Sequence, residues 1–508
     1  MVISIKRVVT KEEMKLSDKA AIEIMKMPDL VLMERAAYAC YETILEKNLP
    51  VERVLAVCGS GNNGGDGIAI ARMLHLAGIS VEILDTGNPR HRTDSNKRQH
   101  DIAENYGVRW TKTEDFSSYS LIIDAVFGVG LSRNLSDEYN HLFRKINQSA
   151  ACIFAVDIPS GIDGNTGQLM GEAISADVTV TMAFEKPGLL LYPGASYAGE
   201  LLTADIGIYE HPSLAYLPSI FHLDERDEEM LPNRREDGNK GSFGKVLLVA
   251  GSYGMCGAAY MAASACIRSG AGMVKICTHE SNREILQQQL PEALISCYNN
   301  VLNFDTIKKD LAWADVVGIG PGLGQSKMAK ELLDFILKES DLPLLIDADG
   351  LNLLAKEKEK LLTYQGPVVI TPHMGEMSRL TGQSISEIAK DRFAVAGNFA
   401  EKYHCLCVLK DARTLLAEDK EHFFISSTGN SGMATAGSGD VLSGMILAFL
   451  GQTKDVRKAA ILGVHFHGIA GDLAAEVYGK ISMKAGDIIE SIPQVLENAY
   501  GNKGKNNF

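Results

Sequence analysis

One arrangement recurs along this chain and limits what it can become: a short apolar run, a cluster of glycines, then apolar residues at helical spacing. The clearest copy is the apolar run 54–57, then Gly59-Ser60-Gly61-Asn62-Asn63-Gly64-Gly65-Asp66-Gly67, then 68–76 at helical spacing, then a second apolar run at 81–84. Runs of that length and period spell a β-α-β unit, which forces its two strands to be parallel and sets the glycines at a strand's C-terminal end. Further strands are expected at 121–124, 152–157 and 178–181. Each runs into polar or glycine-rich residues, where open parallel sheets place their ligands.

The same texture returns in the second half, with strands expected at 245–250, 273–277, 316–319, 344–347, 368–371 and 407–409. Two apolar helices are expected to end it, one after Gly439-Asp440 and one over 459–477, with small residues allowing close helix contact. Between the halves, residues 212–241 lose core periodicity and become charged, as a linker does. Dividing there gives two domains, 1–224 and 225–508, and no fixed-period copying of one by the other. The fold class expected is α/β throughout.

Composition narrows the partners. Fifty Lys and Arg against 64 Asp and Glu leave a net charge of −14, which opposes a general nucleic-acid binder. The N-terminus reaches charge too early for a signal peptide, and no uncharged apolar stretch of about 18 residues occurs, so no membrane span is expected. Nine cysteines, scattered without metal-knuckle spacing, fit free thiols in a reducing, cytoplasmic compartment. The 48 glycines in 508 residues exceed the usual share of about 7%. Their meaning lies in where they cluster.

The first cluster suits an anion, because glycines turn the backbone tightly with free N–H groups and the following helix start adds positive potential. It lacks the Lys-Ser/Thr of a P-loop, and Asn62, Asn63 and Asp66 crowd a simple dinucleotide fingerprint. Two later strand ends point toward it, Asp124-Ala125-Val126-Phe127-Gly128-Val129-Gly130-Leu131 and Asp157-Ile158-Pro159-Ser160-Gly161-Ile162-Asp163-Gly164. Asn63, Asp124 and the backbone near Ser160 offer the oxygen ligands of a hard monovalent or divalent cation. Asp157, ending an apolar strand, is a candidate general acid or base, with a structural cap as the alternative.

In the second half, Gly429-Asn430-Ser431-Gly432-Met433-Ala434-Thr435-Ala436-Gly437-Ser438-Gly439-Asp440 sets small residues before a long apolar helix. Its N–H groups can neutralise phosphoryl oxygens while Asp440 takes the proton of an acceptor hydroxyl. His373, after Pro372 at a strand end, can project toward a ligand or serve local structure. His465 and His467 lie two apart, poor spacing for a shared metal face, and read as packing. The basic cluster at residues 90–98 reads as solvated surface or as a phosphate-adjacent loop.

These strings together carry a resemblance. N-N-G-G-D-G, D-A-V-F-G-V-G and D-I-P-S-G-I-D-G, with F-E-K-P-G-L from Phe184 and A-D-I-G-I from Ala204, resemble the NAD(P)H-hydrate epimerase domain, a Rossmann-like three-layer α/β/α fold. The resemblance implies that Asn62, Asn63, Gly64, Gly65, Asp66, Gly128, Val129, Gly130, Leu131, Ser132, Arg133 and Asn134 hold the hydrate. It implies Asp157 as the catalytic contact and K+ near Asn63, Asp124 and Ser160. From residue 235 the G-S-G-D site, G-I-G-P-G-L-G, K-G-S-F-G-K, D-A-D-G-L-N and T-P-H-M-G-E resemble the ADP/ATP-dependent NAD(P)H-hydrate dehydratases, which have a ribokinase-like α/β fold. There the resemblance implies substrate contacts at Ala258, Gly322, His373 and Asp440, with Asp440 as base and Glu376 helping to organise Mg2+. It implies nucleotide contacts at Lys410, Asp411, Ala412, Arg413, Thr414, Asn430, Ser431, Gly432, Met433, Ala434, Thr435, Ala436, Gly437, Ser438 and Gly439. Asp411 stands where the family's K-G-x-x-T string has glycine.

The activity implied is epimerisation of NADH and NADPH hydrates at C6, followed by dehydration with ADP as phosphoryl donor, in a homo-oligomer acting on small molecules. A small-alcohol kinase for the second half and an RNA-associated scaffold for the first are the alternatives. A kinase would accumulate phosphorylated alcohol, and a scaffold would bind RNA without epimer exchange.

Overall fold

The computed structural model describes residues 6–209 and 219–505. It divides into two compact units, Arg7–Ser219 and a second from Ile220 onward, parting a few residues before the division drawn from the charged stretch.

The first unit is built on a sheet of seven strands, β1 (Val54–Cys58), β2 (Val81–Asp85), β3 (Arg109–Thr111), β4 (Leu121–Ala125), β5 (Cys152–Val156), β6 (Val178–Met182) and β7 (Glu200–Ala204). Their order is β3-β2-β1-β4-β5-β6-β7 and every pair is parallel. Side-chain alternation assigns the layers. Val54, Ala56 and Cys58 join the core of α2 (Asp29–Glu46) and α3 (Asn62–Leu76), while Leu55 and Val57 join Phe143 and Ile146 of α5 (Asp137–Asn147). A sheet covered on both faces needs apolar residues at successive positions, which is why β1 reads as an unbroken apolar run and β4 as one up to Asp124. The chain leaves β1 toward β2 on one side and returns to β4 on the other, opening a crevice at their C-terminal ends.

Two elements precede this α/β/α layering. Helix α1 (Lys11–Lys19) starts with a capping box, Thr10 Oγ1 accepting from Glu13 N–H and Glu13 accepting from Thr10 N–H, and runs into a π-helical turn, Ala20–Ile24. Helix α4 (Asp94–Asn105) follows β2 and is capped by Thr93.

The second unit carries β8 (Lys245–Val249), β9 (Met273–His279), β10 (Leu294–Tyr298), β11 (Val316–Ile319), β12 (Leu344–Ile346), β13 (Val368–Ile370), β14 (Cys405–Leu409), β15 (Thr414–Ala417) and β16 (His422–Ser426). In sheet order they run β16-β15-β14-β13-β12-β11-β8-β9-β10. From β14 to β10 the pairs are parallel, the β14-β15 and β15-β16 pairs are antiparallel, and the sheet continues past β16 with Ser219–Leu223. Its helical layer is α6 (Cys256–Arg268), α8 (Ser438–Thr453), α9 (Val456–Tyr478) and α10 (Ala485–Lys505), with α7 (Met374–Thr381) after β13. Small residues set the helix spacing. A side chain at Gly444 would meet the Ala262 carbonyl oxygen at 2.1 Å, and one at Gly463 would meet Ile446 at 2.4 Å.

Three expectations change. The glycine turn of the first unit is shorter than expected, because the helix begins at Asn62 and takes Gly64, Gly65 and Gly67 into its first turns. Helix α10 adds a third terminal helix where two were expected. The stretch expected as linker contains a strand, Ser219–Leu223, and a 3-10 turn, Glu225–Met230, with Leu223 and Leu231 buried in the second unit's core; residues 210–218 lie outside the described residues. Among the described residues no helix is long and apolar enough to cross a membrane.

Candidate active sites

In the first unit the crevice is a cleft of about 500 Å3. The N-terminus of α3 forms one wall, because Gly61 caps the helix in extended conformation and leaves the first N–H groups, at Asn62 and Asn63, directed outward. Gly64 and Gly65 lie behind that wall. Side chains there would come within 1.9 Å of the Gly59 carbonyl oxygen and 2.7 Å of Met33, so their glycines serve packing.

Asp157 follows β5 with φ +68°, a left-handed conformation uncommon outside glycine, held by a hydrogen bond from its N–H to the Val180 carbonyl. Its Oδ1 accepts from Lys186 Nζ at 2.7 Å, Thr181 Oγ1 at 3.2 Å and Met182 N–H at 3.3 Å. Lys186 is fully buried and also donates to Thr181 Oγ1 and the Met182 carbonyl. The other carboxylate oxygen faces Gly128, where a Cβ would lie 3.0 Å from Oδ2 and 3.3 Å from the Asn63 side-chain carbon. The bare backbone at Gly128 thus leaves room beside both groups.

Around Asp157 the cleft is acidic. Asp66 is buried and its carboxyl is pushed well above the usual range, first by burial and then by Asp157 and Asp18. Asp18, brought in by α1, is raised to about 6, chiefly by burial. Asp18 and Lys186 were not singled out in the sequence; the capping box at Thr10-x-x-Glu13 signals the helix that carries the first, and the second lies inside the F-E-K-P-G-L string.

Of the proposed cation ligands, Asp124 and Ser160 are in contact and Asn63 borders Gly128. Asp124 is buried, its carboxyl raised to about 6 mainly by burial, while Ser160 Oγ and Ser160 N–H donate to it at 2.6 and 2.7 Å. Both polar atoms of the Asn63 amide are buried without a hydrogen-bond partner. Unmatched buried amide atoms are costly, and an oxygen-seeking cation or a ligand satisfies them. Of the residues expected to hold the hydrate, Asn62, Asn63, Asp66, Gly128, Val129, Gly130, Leu131 and Asp157 line the cleft. Ser132, Arg133 and Asn134 are exposed beyond it.

In the second unit, Asp440 sits in the first turn of α8, whose N-cap is Gly437 at φ +93°. Its carboxyl is pushed up to about 7, first by burial and then by Asp347. Asp347 is the buried anchor, accepting from Lys410 Nζ at 2.8 Å and Ser443 Oγ at 2.7 Å. Burial opposes its ionisation, yet Lys410 and these hydrogen bonds hold its carboxyl below the usual range. Lys410 Nζ lies 3.3 Å from where a Gly439 side chain would start, so the ammonium sits close against the helix N-terminus.

His373 caps α7. Its Nδ1 accepts from Gly375 N–H at 2.9 Å and Glu376 N–H at 3.3 Å, while Glu376 accepts from His373 N–H. The structural reading of this histidine is met by Nδ1, while Nε2 of the half-exposed ring lies 3.5 Å from Glu376 Oε1. Burial, with Lys410 and Arg379, lowers the imidazole's affinity for a proton. Glu376 is raised to about 7 by burial. Gly322, at φ +57°, abuts Ala258, where a side chain would come within 2.9 Å of the Ala258 Cβ.

Lys410, Asp411, Ala412, Arg413 and Thr414 form the turn between β14 and β15. Asp411 does not adopt positive φ, and its carboxylate binds Arg392 through Nε at 3.1 Å and Nη2 at 2.9 Å. That ion pair accounts for a side chain at this position. Asn430 ties its loop to α9, donating to Asp472 Oδ1 and the Gly471 carbonyl and accepting from Gly432 N–H. Met433 packs against the core. The backbone from Ala434 to Gly439 then leads into α8 beside Asp440 and Lys410.

A family model described as YjeF-related protein N-terminus matches residues 29–188, and one described as NAD(P)H-hydrate dehydratase matches residues 246–494. The chain is 36% identical over 517 residues to the bifunctional NAD(P)H-hydrate repair enzyme of Moorella thermoacetica, covering 96% of each. It is 33% identical over 492 residues to that of Escherichia coli, covering 96% of this chain and 93% of the relative. Among solved structures, a ribokinase-like superfamily protein from Enterococcus faecalis is 30% identical with a TM-score of 0.50, covering 55% of this chain and 96% of that one.

Proposed function

We propose how the chemistry is shared out along this chain, which belongs to the family of bifunctional NAD(P)H-hydrate repair enzymes: residues 1–224 exchange the R and S epimers at C6 of NAD(P)H hydrates, and residues 225–508 dehydrate the S epimer with ADP, giving NAD(P)H, AMP and phosphate. The observation that carries the assignment of residues is the pairing of one poised carboxylate with one cradle in each unit. Asp157 stands beside the α3 N-terminus, and Asp440 beside the α8 N-terminus and Lys410.

In the first unit the hydrate's pyrophosphate would lie over the α3 N-terminus, with the hydrated ring in the space left by Gly128. The Lys186 ammonium holds Asp157 Oδ1, which leaves Oδ2 to face the C6 hydroxyl. Asp66, whose burial beside Asp157 and Asp18 favours the protonated carboxyl, can donate to that hydroxyl as the C6–O bond breaks and the ring nitrogen supplies electrons. Water returning to either face of the planar cation, with loss of its proton to a carboxylate, gives both epimers. Asn63, Asp124 and Ser160 fit K+ as oxygen donors, the unpartnered Asn63 amide being the supporting observation. When bound, K+ supplies fixed positive charge beside the anionic substrate.

In the second unit Asp440 takes the proton from the C6 hydroxyl while the α8 N-terminus and Lys410 stabilise the transferring phosphoryl group. Phosphate then departs with the C6–O bonding pair as the ring nitrogen's lone pair forms a C6=N bond, and transfer of the C5 proton to water, with the C5–H pair forming the C5=C6 bond, restores the dihydronicotinamide. Glu376 would help to organise a Mg2+ accompanying ADP, which would neutralise phosphate charge. His373, Gly322 and Ala258 would contact the hydrate, and the Lys410–Thr414 turn with the 430–439 loop the nucleotide. The free cysteines support a cytoplasmic setting, and the acidic net charge an enzyme of small molecules without nucleic-acid partners. An exposed stripe on α2, Val31, Tyr38 and Leu45 at seven-residue spacing, supports a homo-oligomer.

The test feeds a mixed-epimer hydrate with ADP and follows the return of reduced-cofactor absorbance. Asp157→Ala should recover only the S fraction rapidly, allowing for spontaneous exchange, and Asp440→Ala almost nothing. Full recovery by both variants rejects these roles.

A further inference from the structure

The first unit's strand order β3-β2-β1-β4 is that of a dinucleotide-binding half. In such sheets an acidic residue at the end of the second strand, roughly 20 residues past the glycine turn, meets the adenosine ribose, while a nearby arginine accommodates a 2′-phosphate. Here that strand is β2, and its last residue is Asp85. Given the epimerase reading above, on which this inference rests, we propose that Asp85 and Arg92 read the adenosine end of the hydrate, Asp85 binding the ribose 2′-hydroxyl of NADH hydrate and Arg92 the 2′-phosphate of NADPH hydrate.

The segment after β2 is fastened to the glycine turn. A side chain at Gly87 would strike the Ser60 backbone nitrogen at 2.7 Å, Thr93 N–H donates to the Ser60 carbonyl at 3.2 Å, and Asn96 Nδ2 donates to the Gly59 and Gly61 carbonyls at 3.1 and 2.9 Å. Ser60, Gly61, Thr93 and Ser95 line the same cleft as Asp157. A dinucleotide with its hydrated ring at Asp157 and its pyrophosphate over α3 therefore carries its adenosine toward β2.

The pair itself is partly used. Asp85 Oδ1 accepts from Gly87 N–H at 3.0 Å and its Oδ2 binds Arg92 Nη2. The Arg92 side chain is only 11% exposed, and its Nε is buried with no hydrogen-bond partner. A buried guanidinium donor without an acceptor is costly, and a phosphate oxygen supplies one in the planar geometry that Arg recognises. A lone carboxylate at this position would repel a 2′-phosphate. With Arg92 against it, the carboxylate keeps its lone pairs for a hydroxyl while the local charge is balanced, so both hydrates are admitted by different partners.

The experiment measures R/S exchange by chromatography on the full chain without ADP, with NADH hydrate and NADPH hydrate in parallel and spontaneous exchange subtracted. Arg92→Met is expected to lower kcat/KM for NADPH hydrate at least tenfold more than for NADH hydrate. Arg92→Lys should restore part of that difference, and Asp85→Asn should shift the preference at least threefold the other way. These two variants carry the test if Arg92→Met does not fold. An equal change on both hydrates in all variants overturns the proposal and leaves the epimerase reading standing. Absence of exchange by the wild type on either hydrate refutes that reading and the proposal with it.

Discussion

Replacing Lys186 with methionine tests the arrangement around Asp157 most directly. Lys186 is fully buried, Asp157 is 8% exposed, and the two are joined at 2.7 Å with Thr181 and Met182 completing the network. Methionine keeps the volume of the stem and removes the charge. Asp157 is then left buried and unpaired beside Asp66 and Asp18, and breaking a buried pair from one side costs about 3–5 kcal/mol. For a unit the size of Arg7–Ser219 that is a fall in unfolding temperature of about 6–20 °C. If Asp157 escapes the cost by taking up a proton, it is no longer a base, and epimer exchange should fall by about 10²–10⁴-fold. Calorimetry of the full chain reads the first effect, and chromatographic exchange the second. The double variant Asp157→Asn/Lys186→Met removes both charges, so it should regain much of the stability and none of the exchange. Wild-type unfolding and exchange in Lys186→Met, or a double variant no more stable than the single one, would refute this account.

Asp440 acts as a base only when ionised, and burial with Asp347 raises its carboxyl to about 7. Dehydration kcat/KM should therefore fall about tenfold per pH unit below that value and level off above it; a flat profile between pH 5 and 8 contradicts the role. Burial lowers His465 and His467 to about 4, below an unfolded value near 6.5. The unfolded chain then binds protons more readily, so the second unit is fully stable above about pH 6.5 and loses about 2 kcal/mol per histidine by pH 5. His465→Leu, which also removes two unpartnered ring nitrogens, should flatten that loss in denaturant titrations, and equal midpoints for wild type at pH 5 and 7.5 would exclude it. Asp411→Gly should destabilise by about 1–3 kcal/mol, because Arg392 is buried and loses its carboxylate; a neutral or stabilising result would show that the position wants glycine after all.

What could be read in the sequence follows from which constraints act locally. Strands β1, β12 and β13 are buried on both faces, so every residue must be apolar and the run is visible without its partners. Asp157 and Asp440 were visible for a related reason, since a carboxylate directly after such a run or at a helix start sits where parallel sheets and helix termini receive ligands. The start of α3 was not legible, because glycine disfavours helix on intrinsic propensity. Only the packing of Gly64 on the Gly59 carbonyl, Gly65 on Met33 and Gly67 on Ala125 shows that a larger residue could not be helical there. Helix α10 was hidden likewise by Gly486 and Pro493, although Ile488, Ile489 and Ile492 bury its face. Asp18 and Lys186 were hidden by a different logic. Neither has a local pattern that singles it out: Asp18 acquires its raised carboxyl chiefly from burial in the folded cleft, and Lys186 reaches Asp157 only after β6 has been laid beside β5. The positions that carry chemistry through burial or a neighbour's charge are thus the ones that need the fold before they can be recognised.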